Sequence, residues 1–467
     1  MRQMKFSQKL NTPAASSIWY TASSVISRGI GFLFTPIFTR LLSPTEYGIY
    51  SLYVSFMGIF TVLTTLEVSS VMYRGLAKFS DGREEDFTAS VLGAQLTLTS
   101  LALIIYACLR HAVNVFTGLN TTLTLFLIIQ VFFNSVTGIY FARQRYAYEY
   151  RRVSFINVAI GVMTPLFSLI LIRAGYGGAP RIVSALIVSA AFVIPITVGV
   201  IKSSRKLFAT DVWSFVFRST LPMIPHYLSG SVIAQADKII ISHTLGTAAV
   251  GKYAVAYSVG IAITTATSGL SLALVPWMTR KLKQRQEKKI TPTLTLCGSI
   301  ACSAVLIFLC LLPEIFVLAV SEEYYDVMAA IYPISLSIVF SFMSGALTSC
   351  LLYCERPLLI TRNSLISAAV AVVSGLILIS RLGYVGGGIS TLISYAVSFF
   401  LNLYTSKKLL GEELVEKRSG IINLAILFLF GILVFMLRRY FISRILILAA
   451  ILLLALPNIK RCKRLVF

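Results

Sequence analysis

Residues Ile290–Leu312 read ITPTLTLCGSIACSAVLIFLCLL, 23 positions without one charged side chain. An α-helix rises about 1.5 Å per residue, so such a run covers the roughly 30 Å hydrocarbon layer of a bilayer. Before it stands the basic stretch Arg280–Lys289, RKLKQRQEKK. After it come Glu314, Glu322, Glu323 and Asp326 with no basic residue among them. A membrane helix with a basic cytoplasmic end and an acidic outer end has this form.

The same pattern recurs in both directions. Further apolar runs are read at Ala15–Phe38, Ile49–Met72, Thr88–Leu109, Leu119–Phe141, Val153–Ile172, Ile182–Ile201, Leu221–Leu245, Ala254–Met278, Val327–Tyr353, Ser364–Ser380, Ile389–Tyr404, Ile421–Leu437 and Phe441–Leu456. The expectation is an all-α membrane protein of about 14 transmembrane helices. Of the 41 Lys and Arg residues, 30 fall in one alternate set of loops and 9 in the other. The richer set includes both ends of the chain, which places both termini in the cytoplasm.

Composition excludes other classes. The chain of 467 residues is 57% hydrophobic and 13% charged, about half the charged share of a soluble domain. Its net charge of +23 lies in short clusters between apolar runs, not in a patch on a soluble fold, so nucleic acid is not the partner implied. The seven cysteines include no C-x-x-C pair and sit mostly in apolar runs, as packing residues do. No phosphate-binding G-x-x-x-x-G-K-[ST] loop, H-E-x-x-H metal motif or G-x-S-x-G elbow occurs. No cofactor, metal or enzymatic activity is expected, and no cleaved signal peptide is read at the basic start.

The two halves of the chain match at equivalent junctions. Gly48, Tyr50 and Ser55 correspond to Gly251, Tyr253 and Ser258; Gly175-Tyr176-Gly177-Gly178 corresponds to Gly383-Tyr384-Val385-Gly386; Arg145 and Arg151 correspond to Arg356 and Arg362. An even number of spans separates the copies, which makes the repeat parallel, with its axis along the membrane normal. The expected organisation is an N-terminal lobe at 1–210, a C-terminal lobe at 211–410 and two added helices at 411–467, with a cavity between the lobes.

Ionisable residues inside apolar runs are costly and usually face a cavity or a partner. Arg28 and Lys238 are candidates for an anionic head group, with Arg74 and Arg218 at the cytoplasmic mouth; guanidinium presents a fork of donors that suits phosphate oxygens. The bland alternatives are a structural ion pair for Arg28, snorkelling for Asp237 and Lys238, and topology-setting for the boundary arginines. Glu67 and Asp237 are candidates for ion coupling, although a pair between Glu67 and Arg74 would serve structure alone. Pro222 and Pro225, beside His226, are expected to bend the seventh span and form a gate; a lone histidine is more commonly a packing group.

Arg28–Ser51, RGIGFLFTPIFTRLLSPTEYGIYS, with Ser219–Tyr257, STLPMIPHYLSGSVIAQADKIIISHTLGTAAVGKYAVAY, and Ala142–Tyr146, ARQRY, resembles the polysaccharide transporter family of O-antigen and lipid-linked oligosaccharide flippases. Its superfamily also holds multidrug-and-toxin extruders and the lipid II flippase. The resemblance implies two six-helix lobes in a V and two extra helices. It implies movement of an undecaprenyl-pyrophosphate-linked oligosaccharide across the bacterial inner membrane by alternating access. Membrane lipids, a polysaccharide polymerase and a chain-length regulator are the partners it implies. An ion-coupled drug exporter on the same fold, and a membrane polysaccharide polymerase or ligase, are the alternatives; the second would need a sizeable external loop.

Overall fold

The computed structural model describes residues 13–452 apart from 81, 148, 177, 178, 205 and 355. Within the first helix the side chains of 13–18, 20–22, 24, 25, 28 and 32 also fall outside the description. Among the described residues there is no β-strand. The helices are α1 (Pro13–Leu41), α2 (Pro44–Thr65), α3 (Met72–Lys78), α4 (Glu84–Thr117), α5 (Thr121–Tyr146), α6 (Tyr150–Arg173), α7 (Pro180–Ser203), α8 (Thr210–Thr220) and α9 (Ile224–Leu245). They continue with α10 (Thr247–Gly260), α11 (Thr264–Lys283), α12 (Ile290–Ala319), α13 (Met328–Tyr353), α14 (Pro357–Leu382), α15 (Tyr384–Leu410), α16 (Lys417–Met436) and α17 (Phe441–Leu452).

Among the described residues eleven helical segments are long and apolar enough to cross a membrane, α10 and α11 counting as one continuous segment. They match eleven of the fourteen expected spans. The other three are helical but less apolar or shorter. These are α1 with Arg28 and Arg40, α9 with His226, Asp237, Lys238 and His243, and α17, whose expected end at Leu456 lies outside the described residues.

Helix ends follow local chemistry. Ser43 opens α2 with a reciprocal cap: its N–H and hydroxyl both donate to Glu46 Oε2 at 2.9 Å, and Glu46 N–H returns a bond to Ser43 Oγ at 3.3 Å. Pro44, Pro180 and Pro357 stand at first helical positions, where a missing N–H costs nothing. Gly175 and Gly383, the pair matched by the repeat, both take positive φ, 82° and 58°, at the ends of α6 and α14, a conformation that glycine adopts without strain.

Two compact units result. Unit 1 takes the chain through Phe34 together with Ile49–Ser231; unit 2 takes Thr35–Gly48 together with the chain from Val232. In unit 1, Phe87, Leu92, Leu127, Ile128 and Ile182 are fully buried, while α6 lies on the outside, with 6% of its apolar window buried. In unit 2, α13 is the central helix, 78% buried over its window.

The internal repeat is visible inside unit 2. A Cβ on Gly48 would lie 2.0 Å from the Thr247 carbonyl oxygen, and a Cβ on Gly251 would lie 1.9 Å from that of Pro44. Gly48 and Gly251 are repeat partners, and Pro44 and Thr247 have the same spacing. The first turns of α2 and α10 therefore meet in a self-complementary contact, as two copies related by a local two-fold do. Glycine is required on both sides because each helix approaches the other's backbone.

The helix α17 is held on unit 2 by Arg444. This residue is 4% exposed, donates to the Cys310 carbonyl at 2.7 Å, and forms a two-pronged ion pair with Glu314. Sequence reading assigned Arg444 and Glu314 only to outer loops; their pairing joins α12 to α17.

Candidate functional site

In unit 2, α9, α10 and α15 converge on Asp237. Its Oδ2 accepts from the Tyr253 hydroxyl at 2.7 Å and from the Thr391 hydroxyl at 3.2 Å; its Oδ1 accepts from the Lys238 N–H at 2.8 Å. Adjacent helix residues point about 100° apart, so the Lys238 chain turns back along α9. There Nζ donates to the Ala234 carbonyl and to Gln235 Oε1, both at 3.1 Å, lies 3.6 Å from the Tyr257 ring centre, and approaches Asp237 Oδ1 to 3.9 Å. Both charges are buried, 4% and 6% exposed. Carboxylate, ammonium, two hydroxyls and an aromatic face thus form one polar knot inside the lobe. The sequence picked out Asp237 and Lys238 from the rarity of charge in spans. Tyr253 was read only as a repeat match, and Thr391 carried no signal, because partners on other helices have no fixed sequence spacing.

Glu67 lies in unit 1 at a break that the sequence did not reveal. The expected span Ile49–Met72 is interrupted: α2 ends at Thr65, Leu66 and Glu67 take φ of 48° and 52°, and a 3₁₀ turn at Val68–Val71 leads into α3. Two successive non-glycine residues at positive φ are uncommon and strained. The break is held by the Thr65 hydroxyl, which accepts from Glu67 N–H at 3.1 Å, and by a core joining Val68, Val71, Met72 and Leu76 to Val212 and Val216 of α8. The Glu67 carboxylate is half-buried and has no hydrogen-bond or ion-pair partner among the described residues; it is not paired with Arg74.

Arg74 and Arg218 are both exposed, on α3 and α8, two segments that share this core. Beside them, Arg83 Nη2 donates to Asp211 Oδ2 at 2.8 Å and thereby holds the Asp211 carboxyl below its ordinary range; Lys206 meets Asp86 at 2.8 Å. The Arg28 backbone belongs to α1, and its side chain lies outside the described residues.

The prolines stand where the helical hydrogen bonding changes. Pro222 sits in a 3₁₀ turn, Leu221–Met223, and Pro225 is the second residue of α9. The helical run from Thr210 to Leu245 thus passes through a 3₁₀ turn at the two prolines, with Thr220, Leu221 and Ile224 all in the right-handed helical region. His226 is half-buried, its ring 5.6 Å from that of Tyr227.

Unit 2 also holds an apolar slot of about 170 Å³ between α12, α13, α15 and α16, lined by Cys302, Phe340, Met343, Phe399 and Leu403 among others. Such a lining suits an alkyl or isoprenoid chain and offers little to a sugar.

Against solved structures, the chain resembles the inward-facing conformation of a multidrug resistance MATE family transporter of the MOP superfamily. The TM-score is 0.65 at 14% identity, over 83% of this chain and 94% of that one. It resembles the lipid II flippase MurJ in an inward closed conformation with TM-score 0.64 at 14% identity, over 92% and 100%. These likenesses establish the fold, which is all-helical, and the eleven long apolar segments are those of a multi-pass membrane protein. Among curated proteins, Lsg locus putative protein 1 of Haemophilus influenzae is 22% identical over 279 residues, 58% of this chain and 67% of that protein. The polysaccharide biosynthesis protein family model matches residues 14–282, more than half the chain, and so the chain belongs to that family.

Proposed function

We propose that this protein is a flippase carrying an undecaprenyl-pyrophosphate-linked oligosaccharide, an O-antigen-like repeat unit, across the bacterial inner membrane by alternating access. The observation that carries the reading is the joining of a polysaccharide biosynthesis family to a MOP transporter fold in one chain. A sugar–pyrophosphate head group loses too much hydration to cross hydrocarbon alone. A polar path replaces that water while the lipid tail stays in the bilayer. Arg28, Lys238, Arg74 and Arg218 are the proposed pyrophosphate contacts. Glu67 and Asp237 are the proposed coupling groups, since each is a carboxylate placed where a cation or proton could neutralise it. The junction at Pro222, Pro225 and His226 is the proposed gate. Both termini are cytoplasmic in this reading, and the proposed protein partners are a polymerase and a chain-length regulator.

Deletion tests the cargo. The deletion strain is expected to lose surface polymer and to accumulate its lipid-linked repeat unit with the sugars facing the cytoplasm; mass spectrometry of extracted lipids identifies it. Arg28→Ala is expected to reproduce that block while the protein still inserts. Normal surface polymer in the deletion strain, together with new sensitivity to cationic drugs, would replace this reading with a multidrug exporter. The MATE likeness, 0.65 beside 0.64 for the flippase, is what favours that second reading.

A further inference from the structure

Unit 1 contains a cleft of about 450 Å³ where α5 ends, α6 begins and α7 ends, within the usual size range of a small-ligand site. Its floor follows from sequence. Pro195 interrupts the hydrogen bonding of α7, and Gly199, one turn later on the same face, has nothing within 4 Å of where a Cβ would stand. The wall of α7 is therefore recessed. Opposite, α5 presents Tyr140, Arg143 and Gln144, and α6 presents Arg152.

The lining is rich in donors with capacity to spare. Among the described residues neither the Gln144 carboxamide nor the Tyr140 hydroxyl has a hydrogen-bond partner, and the amide atoms are not sealed from solvent, so both groups open onto the cleft. Arg143 spends one nitrogen on Glu85 at 3.2 Å and keeps other donors of its fork. Arg152 stands 3.6 Å from Glu149, beyond a good hydrogen bond, and Glu149 is the single acid among the described lining residues. Guanidinium, amide and phenol converging on one hollow call for an anion with several acceptor oxygens.

We propose that this cleft binds a phosphate-bearing head group at the basic end of the bundle. Two sources share that chemistry, an anionic phospholipid of the adjacent leaflet and a soluble pyrophosphate. The bilayer is the source that position favours. The cleft borders α6, the outermost helix of unit 1, where Phe155 is 69% exposed. A lipid whose head enters the cleft can leave its chains along that helix. This inference does not depend on the cargo proposed above.

The test uses the full-length protein, delipidated in detergent and titrated in separate arms with phosphatidylglycerol, phosphatidylcholine and inorganic pyrophosphate. Binding is read by native mass spectrometry and by melting temperature. Phosphatidylglycerol is expected to bind at least tenfold more tightly than phosphatidylcholine. Gly199→Phe, which fills open space, and Gln144→Leu should each reduce that preference about tenfold. Pyrophosphate binding that both variants abolish would support the site with a soluble source. Equal binding of the two phospholipids without pyrophosphate binding overturns the proposal, and so does a preference that both variants retain.

Discussion

A carboxylate and an ammonium buried side by side at Asp237 and Lys238 must each replace the water they lose. Asp237 does so with Tyr253, Thr391 and the Lys238 N–H; Lys238 does so with a carbonyl, an amide oxygen and the Tyr257 ring. Removing one member leaves the other stranded, at a cost of about 3–5 kcal/mol for a buried pair. Asp237→Ala is therefore expected to destabilise the protein by that amount in an SDS unfolding titration. The double variant Asp237→Ala, Lys238→Met should recover most of the loss, since both charges leave together. If the two losses simply add, the residues are not energetically coupled. Transport by the recovered double variant then separates a structural knot from a working one: a stable protein that exports polymer normally removes both from the proposed mechanism. The pair itself was readable in the sequence, because charge in an apolar run is rare. Tyr253 and Thr391 were not, since they lie 16 and 154 residues from Asp237. Gln144 gave no signal either, because a side chain's place on a cleft wall is a property of packing.

Helices were the easiest elements to read, and their interruptions the hardest. Apolar length alone located the spans, and the Gly48–Gly251 match pointed to a repeat before any contact was known. What the sequence hid was the break after Thr65, for neither glycine nor proline stands at Leu66 or Glu67. Sequence cues announce a turn when the residue prefers it; here the surrounding core imposes the turn on residues that do not. Leu66→Gly relieves that strain and is expected to stabilise the protein by about 1 kcal/mol or leave it unchanged; a loss of several kcal/mol by the same titration would show that the positive φ is not strained there. At the repeat contact the sign reverses. Gly251→Val brings a side chain to within 1.9 Å of a backbone oxygen, which no rotamer change can relieve. The expected result is loss of folded protein on gel filtration, and the same for Gly48→Val. Normal elution of both variants would mean that the first turns of α2 and α10 do not pack as described.

Topology is where the chain's weakest elements decide the outcome. Eleven helical segments among the described residues are apolar enough to insert on their own account, and eleven crossings put the two termini on opposite sides. Adding α1, α9 and α17 makes fourteen and returns them to the same side. None of the three is as long and apolar as the other eleven. A charge near the centre of a span costs about 2.5–3.5 kcal/mol on an insertion scale, and α9 carries two, compensated by Tyr253, Thr391 and Tyr257. In α17, Arg444 is compensated by Glu314 and the Cys310 carbonyl. These partners come from other helices, so we propose that α9 and α17 become acceptable spans only once the lobe has assembled around them. With fourteen spans counted, the basic residues divide 30 against 9 and the richer set includes both ends of the chain, so we propose an even count. Cys462 allows a direct reading in a variant with the other six cysteines replaced by serine. In intact cells an impermeant maleimide is expected to leave Cys462 unlabelled until the membrane is opened, whereas Glu322→Cys, with Cys462 also removed, should react at once. A Cys462 that reacts from outside would make the count of spans odd if the N-terminus is cytoplasmic, and would overturn the charge argument if it is not.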